Sequence, residues 1–298
     1  MELLTLVDLI QNYQFRLRIR VNYKKIKMSK RDFKNKTVII TGATGNLGSE
    51  LCMNFGLAGA KVCAIDLNEE NLKQLAADLK THNIEIFTQI CDITNKKLLS
   101  EVITNIKNEF GNIDVLINNA GITHIQRFNE IEDPEKVLRR IMEVNVFAAV
   151  NCCHLVMDEL LKNRGMIINI SSVAGFAPLL GRTAYSASKH ALQGYFESLR
   201  TELYQNGVQC LTVCPSFIGA DPNRAALSAN DHNSVNQKKK LIGKALDPKF
   251  VAEKILIAAR QNKANLIVGK TALQSYFMHR FFPNIYERLM RNKLSKEL

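Results

Sequence analysis

The sequence predicts an α/β protein: one doubly wound domain in which a seven-stranded parallel sheet carries helices on both faces. Three observations point there. Short β-branched runs alternate with stretches of helical periodicity from residue 37 to residue 269, the signature of strands joined by crossover helices. Strands such as Met166–Ile170 are apolar at successive positions, which suits burial on both faces. The first strand runs into a glycine-rich turn and a helix, where an open α/β sheet can receive a phosphate. A length of 298 residues accommodates one such domain, and a second has no place to start.

The elements follow in order. Thr37–Thr41 is β-branched throughout and opens the sheet. Gly45–Leu57 follows with helical periodicity, and Val62–Ile65 is the second strand. Glu69–Leu79 is the second helix, with acids in its first turn where the helix dipole favours them. Ile84–Ile90 is the third strand and Leu98–Phe110 the third helix; Val115–Asn118 is a short fourth strand. Glu135–Leu161 reads as one long helix leading to the buried strand Met166–Ile170. Ala184–Gln205 is a second long helix before Val208–Val213, and Lys249–Gln261 with Asn265–Val268 completes the sheet.

Between 215 and 247 no strand appears, and the segment contains Asp221-Pro222, Ser228–Asn236 and the run Lys238–Lys240. A loop of that length in a compact domain is expected to be a substrate lid, its lysines a solvated face. After the last strand, Phe277, Phe281, Phe282, Ile285, Leu289 and Met290 recur at near-helical spacing among Arg and Lys. Such a basic amphipathic tail, 270–298, can lie on a membrane, cap the substrate pocket or pack on a partner subunit. Ordinary packing is the expectation.

The net charge of +12 is unevenly spread. Residues 1–36 hold 10 Lys/Arg against 3 Asp/Glu, and residues 270–298 hold 6 against 2, leaving the body at 24 against 23. A nucleic-acid face should show in the body's balance, and none does. Seven cysteines without a C-x-x-C pair (Cys52, Cys63, Cys91, Cys152, Cys153, Cys210, Cys214) argue against a disulfide framework or a zinc site. Buried, reduced thiols in the cytoplasm are expected. No uninterrupted apolar stretch approaches the roughly 18 residues of a spanning helix, so an integral membrane protein is not expected. The apolar cluster Leu3–Ile10 and basic run Arg16–Lys27 lack the order of a secretory signal, and translation starting at Met28 is expected ahead of a targeting role.

The chemistry collects at strand ends. Thr41-Gly42-Ala43-Thr44-Gly45-Asn46-Leu47-Gly48 closes the first strand and opens a helix, so its backbone can approach a pyrophosphate. Three glycines alone are a weak signal, strengthened by the strand before and the helix after. Asp66 stands 24 residues beyond Gly42 at the end of the second strand. A carboxylate there can accept from ribose hydroxyls and repels a 2′-phosphate, favouring NAD over NADP. It can also be a plain helix cap. Tyr185 and Lys189, four apart on a helix, share one face. Tyrosine titrates near pH 10, so use as a base near neutrality requires a cation to lower it by about three units, roughly 4 kcal/mol. Ser172 lies 13 residues before Tyr185, just past a buried strand.

Together these residues resemble the short-chain dehydrogenase/reductase family, a Rossmann-fold family, over about residues 37–269. The matching pieces are Thr41–Gly48, Asp92, Asn118-Asn119-Ala120-Gly121, Asn145, Ser171-Ser172, Tyr185-x-x-x-Lys189 and Cys214-Pro215. The Asn145–Ser172–Tyr185–Lys189 order is highly specific. The resemblance implies an oxidoreductase interconverting an alcohol and a carbonyl compound, with Tyr185 as acid/base, Lys189 holding the nicotinamide ribose, Ser172 bonding the reacting oxygen and Asn145 supporting a proton relay. It implies a dinucleotide site at Gly42, Thr44, Gly45, Asn46, Leu47, Gly48, Asp66, Asp92, Ile93, Asn118, Ala120, Gly121, Pro215 and Ile218, shared with Tyr185 and Lys189, and no metal. It also implies a homodimer or homotetramer with 135–161 and 184–205 at the interface.

Three departures stand out. Asn46 replaces the family's middle glycine, with a glycine one place earlier at Gly45, and is expected to tolerate a left-handed backbone there. Pro215-Ser216 replaces Pro-Gly, and Ala220 replaces a threonine near the cofactor amide. Phe176, Pro178, Leu179, Leu180, Phe217 and Ile218 fall where the family borders its substrate. They suggest a lipophilic substrate, or else simply pack the loop to the body; His124 is expected to be structural. A non-catalytic nucleotide-sensing or scaffolding protein on the same fold is the other class, disfavoured by the intact catalytic set.

Overall fold

A computed structural model describes residues 30–219 and 245–294. Strands β1 (Thr37–Thr41), β2 (Lys61–Asp66), β3 (Ile86–Ile90), β4 (Val115–Asn118), β5 (Met166–Ile170), β6 (Gln209–Pro215) and β7 (Asn265–Val268) form one sheet in the order β3-β2-β1-β4-β5-β6-β7. Every pairing is parallel. The order reverses between β1 and β4, opening a crevice at the strands' carboxyl ends.

Helices α1 (Asn46–Leu57), α2 (Glu69–Lys80) and α7 (Pro248–Arg260) cover one face; α3 (Lys96–Phe110), α5 (Ala148–Asn163) and α6 (Thr183–Leu203) cover the other. Alternation along each strand feeds both cores. Val38 and Ile40 face the first, while Ile39 faces the second. Caps close several helices: Asn68 and Asn95 side chains accept from Asn71 N and Leu98 N, and Gly111 ends α3 at φ 74°. All seven cysteines are free and buried within these layers.

The expected single helix 135–161 is not regular. It divides into α4 (Pro134–Met142), a π-helical turn (Glu143–Phe147) and α5. The extra residue per turn swings Asn145 inward, where its side chain finds the partners described below. By length and composition the run Pro134–Asn163 can cross a membrane. Its Ala148, Cys152, Val156 and Leu160 pack instead in the second core.

Beyond β7, α8 (Lys270–Phe281) and α9 (Pro283–Leu294) fold back together. Ala272 and Tyr286 form a third small core with Val173 and Ala177, flanked by Phe176, Leu179, Met278 and Met290. The expectation of ordinary packing for the tail is corrected for five of its six apolar residues. Met290 packs, whereas Phe277, Phe281, Phe282, Ile285 and Leu289 are exposed, because α8 and α9 turn Ala272, Ser275 and Tyr286 inward. Residues 1–29, most of the expected lid (220–244, with Ala220 and the three motifs noted in it) and 295–298 lie outside the described residues.

Candidate active site

The glycine loop is built from backbone contacts. Gly42 sits at φ 64°, and a Cβ there would lie 2.8 Å from Ala120 Cα. A Cβ on Gly48 would strike the Gly42 carbonyl oxygen, so only glycine lets α1 start this close beneath the loop. Asn119 holds the loop from the side, its Nδ2 donating to the carbonyls of Thr41 (3.0 Å) and Gly42 (2.9 Å). Gly45 is the N-cap of α1 and offers no side chain to its first-turn amides. That leaves the first turn of α1, with Leu47, suited to a phosphate.

Asn46 is not left-handed, as had been expected; it is the first residue of α1. Its Nδ2 reaches across the crevice and donates to the Gly219 carbonyl at 3.2 Å. The side chain ties the glycine loop to the segment after β6, where Ile218 is pinned by a bridge to Leu246. Asp66 closes β2. Its Oδ2 accepts from Thr44 N at 2.8 Å and its Oδ1 from Leu67 N at 2.7 Å. Each oxygen keeps a second lone pair for a ribose hydroxyl. Asp92 is exposed beyond β3, accepting from Thr94 N and Oγ1, with Ile93 buried beside it.

Asn118, expected at the dinucleotide site, is buried in the sheet, its side chain donating to Asn169 Oδ1 at 2.8 Å. Gly121 does face the crevice: a Cβ on it would stand 3.2 Å from Asn145 Oδ1 and 3.5 Å from Lys189 Nζ. Pro215, at the end of β6, is buried. Ser216 fits in place of the family's glycine because Gly269, at φ 101°, leaves room; a Cβ on Gly269 would lie 2.5 Å from Ser216 Oγ.

The four expected catalytic residues converge. Tyr185 and Lys189 lie one turn apart on α6, and the Ser172 side chain lies close enough to the Tyr185 hydroxyl to favour its ionised form. Lys189 Nζ donates to the Ile170 carbonyl at 2.9 Å and lies 5.7 Å from the Tyr185 ring centroid. Asn145 Nδ2 donates to Ile122 O (3.0 Å) and Ser188 Oγ (2.9 Å), while its Oδ1 accepts from Ile122 N (2.8 Å). Ser188 Oγ donates in turn to the Tyr185 carbonyl at 2.8 Å, joining Asn145 to the tyrosine's own helix turn. Beneath them Gln193 Nε2 donates to Ser171 Oγ at 3.0 Å and Cys214 Sγ at 3.4 Å.

The electrostatics differ from expectation in one respect. Burial raises Tyr185 above its ordinary value, opposed by the Ser172 side chain and by the charge of Arg182. Desolvation outweighs the charge of Arg182, and burial also pushes the Lys189 ammonium down to about 8. Arg182 was not anticipated. Its guanidinium carbon lies 6.0 Å from the Tyr185 ring centroid and 5.4 Å from that of Phe217. The one signal for it was its position, three residues and so almost one helical turn before Tyr185. Asn119, Ser188 and Gln193 were also missed as supports.

Of the residues expected to border a substrate, Phe176 meets Tyr276 edge-on at 5.2 Å and Leu179 joins the third core, so both hold the tail. Phe217 shares the Arg182 guanidinium with Tyr185. His124 is half-buried, its imidazole pushed down by burial, with the Gln126 side chain opposing the shift.

Compared with known proteins, residues 36–231 match the family model described as short chain dehydrogenase. The chain is 31% identical over 262 residues to the dehydrogenase/reductase SDR family protein 7-like of Dictyostelium discoideum, covering 86% of this chain and 81% of that one. A short chain dehydrogenase/reductase from Burkholderia phymatum in complex with NAD superposes with a TM-score of 0.75 at 21% identity, covering 86% of this chain and 96% of that one. A metagenomic short-chain oxidoreductase in complex with NADP gives 0.66 at 24%, covering 80% and 98%. At those identities both structures speak for the fold, and they hold different dinucleotides.

Proposed function

The chain belongs to the short-chain dehydrogenase/reductase family of oxidoreductases, and from that premise we propose that it interconverts a lipophilic alcohol and its ketone or aldehyde with NAD in preference to NADP. The observation that carries the reading is the convergence of four side chains, Tyr185 beside Ser172, with Lys189 held by the Ile170 carbonyl and Asn145 by Ser188 behind them.

The residues fit a dinucleotide: a glycine cradle that any Cβ would fill, an uncapped helix start, and a carboxylate at the end of β2. Gly42, Thr44, Gly45 and Leu47 would hold the pyrophosphate side, Asp66 the adenosine ribose, and Lys189 the nicotinamide ribose. NAD, when bound, supplies the hydride acceptor for oxidation and, reduced, the donor for the reverse reaction.

The chain's own work is positioning and proton transfer. Ser172 Oγ hydrogen-bonds the substrate oxygen and Tyr185 Oη exchanges a proton with it. Arg182 and Lys189 favour the tyrosinate by charge, and Asn145 fixes the turn of α6 that carries Tyr185. Phe217 and Ile218 give the substrate an apolar wall. The Asp66 carboxylate repels a 2′-phosphate, which favours NAD. The seven buried free thiols support a reducing, cytoplasmic setting.

The test is a titration of NADH and NADPH into the purified protein, read by the cofactor's own fluorescence against a chain without tryptophan. Binding of NADH about tenfold or more tighter is expected, with Asp66→Ala erasing the preference, an effect of about 1.4 kcal/mol. Tyr185→Phe should keep NADH binding and lose turnover of medium-chain alcohols by at least about 100-fold. Tighter NADPH binding overturns the choice of NAD, and full turnover by Tyr185→Phe overturns the mechanism.

A further inference from the structure

We propose that the outward face of α8 and α9 is a membrane-docking surface for bilayers containing anionic phospholipids, placed beside the mouth of the catalytic site. The docking does not depend on the oxidoreductase reading.

Leu273, Phe277 and Phe281 recur every fourth residue, so they form one stripe along α8. They are 48%, 40% and 63% exposed, and the Phe277 and Phe281 rings stack with centroids 6.3 Å apart. Phe282, between the two helices, and Ile285 and Leu289 on α9 are also exposed, at 43%, 54% and 37%. Soluble monomers seldom leave so many large apolar groups together in water. The inward side of the pair is already satisfied. Tyr286 is buried and donates its hydroxyl to the Pro178 carbonyl at 3.3 Å, and Ala272 packs on Val173 and Ala177. The hairpin is thus anchored on the segment that follows Ser172; Leu273, at the start of the stripe, lines a pocket with Leu246, Phe250 and Ile267, while Phe277 and Phe281 are exposed.

Charge selects the occupant. Lys270, Arg280, Arg288 and Arg291 accompany the stripe, against the single acid Glu287 within 270–292. Arg280 stands on the face of α8 that carries Phe277 and Phe281, and it is exposed. A second copy pressed on this face would bring like charges together in an interface core, where charged residues are depleted. On a bilayer the rings enter the headgroup boundary while the long cationic side chains reach up to the phosphates. Each such cation adds to the attraction toward an anionic surface.

The experiment is flotation of the full chain with vesicles of phosphatidylcholine alone, and of about three parts phosphatidylcholine to one of phosphatidylserine. The chain should float with the mixed vesicles, and Phe277→Ser/Phe281→Ser should weaken that binding tenfold or more. Arg280→Gln/Arg288→Gln should abolish the preference for the mixed vesicles. Melting curves check that each variant is folded. Because the chain lacks tryptophan, Phe281→Trp gives a conservative second reading, a blue shift of its emission when mixed vesicles are added. The proposal is overturned if the full chain does not float, or if it floats undiminished with the serine variants, placing the contact elsewhere. It is overturned equally if the Phe281→Trp emission stays fixed while the chain is bound, or if the serine variants lose self-association and not vesicle binding, which makes the stripe a subunit interface.

Discussion

Burying Lys189 costs the fold stability, and the direction of its shift says at which pH. Its ammonium is pushed from 10.5 down to about 8 by loss of water, so between those values the unfolded chain binds the proton and the native chain does not. The native state is therefore penalised in full below about pH 8, and the penalty fades as pH rises toward 10.5. Lys189→Met should raise the melting temperature near pH 7, with an upper limit of roughly 3 kcal/mol before the lost bond to Ile170 is subtracted. The advantage should shrink in alkaline buffer, and turnover should vanish at every pH. A stability difference that does not change with pH would show that the ammonium is not dehydrated. The pairing of Tyr185 with Lys189 was legible in the sequence, because residues four apart on a helix must share a face. The direction of the tyrosine's shift was not. It depends on how deeply neighbouring loops bury the ring and on Arg182, which belongs to no motif.

At the scale of elements, the strands and most helices were legible because apolar spacing of two or four residues needs no knowledge of the partner. What escaped was each place where one element answers another. The π-helical turn at Glu143–Phe147 exists to deliver Asn145 to Ile122 and Ser188, and spacing within the helix cannot reveal partners 23 and 43 residues away. Asn46 looked like a weakened glycine because its acceptor, Gly219, is 173 residues distant. Ser216 stands where the family has glycine because Gly269, 53 residues away, leaves it room. That last pair can be separated experimentally. Gly269→Ala meets both an unfavourable φ of 101° and the Ser216 side chain at 2.5 Å, and should destabilise by about 2 to 4 kcal/mol in chemical denaturation. Ser216→Gly in the same chain should recover the steric part and leave the backbone part, about 1 to 3 kcal/mol. Full recovery would mean the backbone carries no strain at Gly269, and no recovery would mean the two residues do not crowd one another.

For the molecule as a whole, the cysteines report on cooperativity because they sit on both sides of the sheet. Cys52 belongs to the core under α1, α2 and α7, while Cys63, Cys91, Cys152, Cys153 and Cys210 belong to the opposite core. All seven are buried, and desolvation raises each thiol, Cys91 to about 11 and Cys214 to about 12. A thiol-specific reagent near pH 8 therefore meets groups both hidden and protonated, and the reacting species is the thiolate. Labelling of the native chain should then wait for opening of the sheet, with thiols of both cores appearing at a common rate. A ligand that binds only the folded protein lowers the population of the open form by its own mass action. NADH at about 100 times its dissociation constant should slow all seven reactions by about 100-fold, equivalent to about 2.7 kcal/mol. If Cys214, at the crevice edge beneath Gln193, reacts rapidly while the others wait, the carboxyl end of the sheet opens separately. If NADH slows that thiol alone, the local opening, and not the whole domain, is what the dinucleotide holds shut.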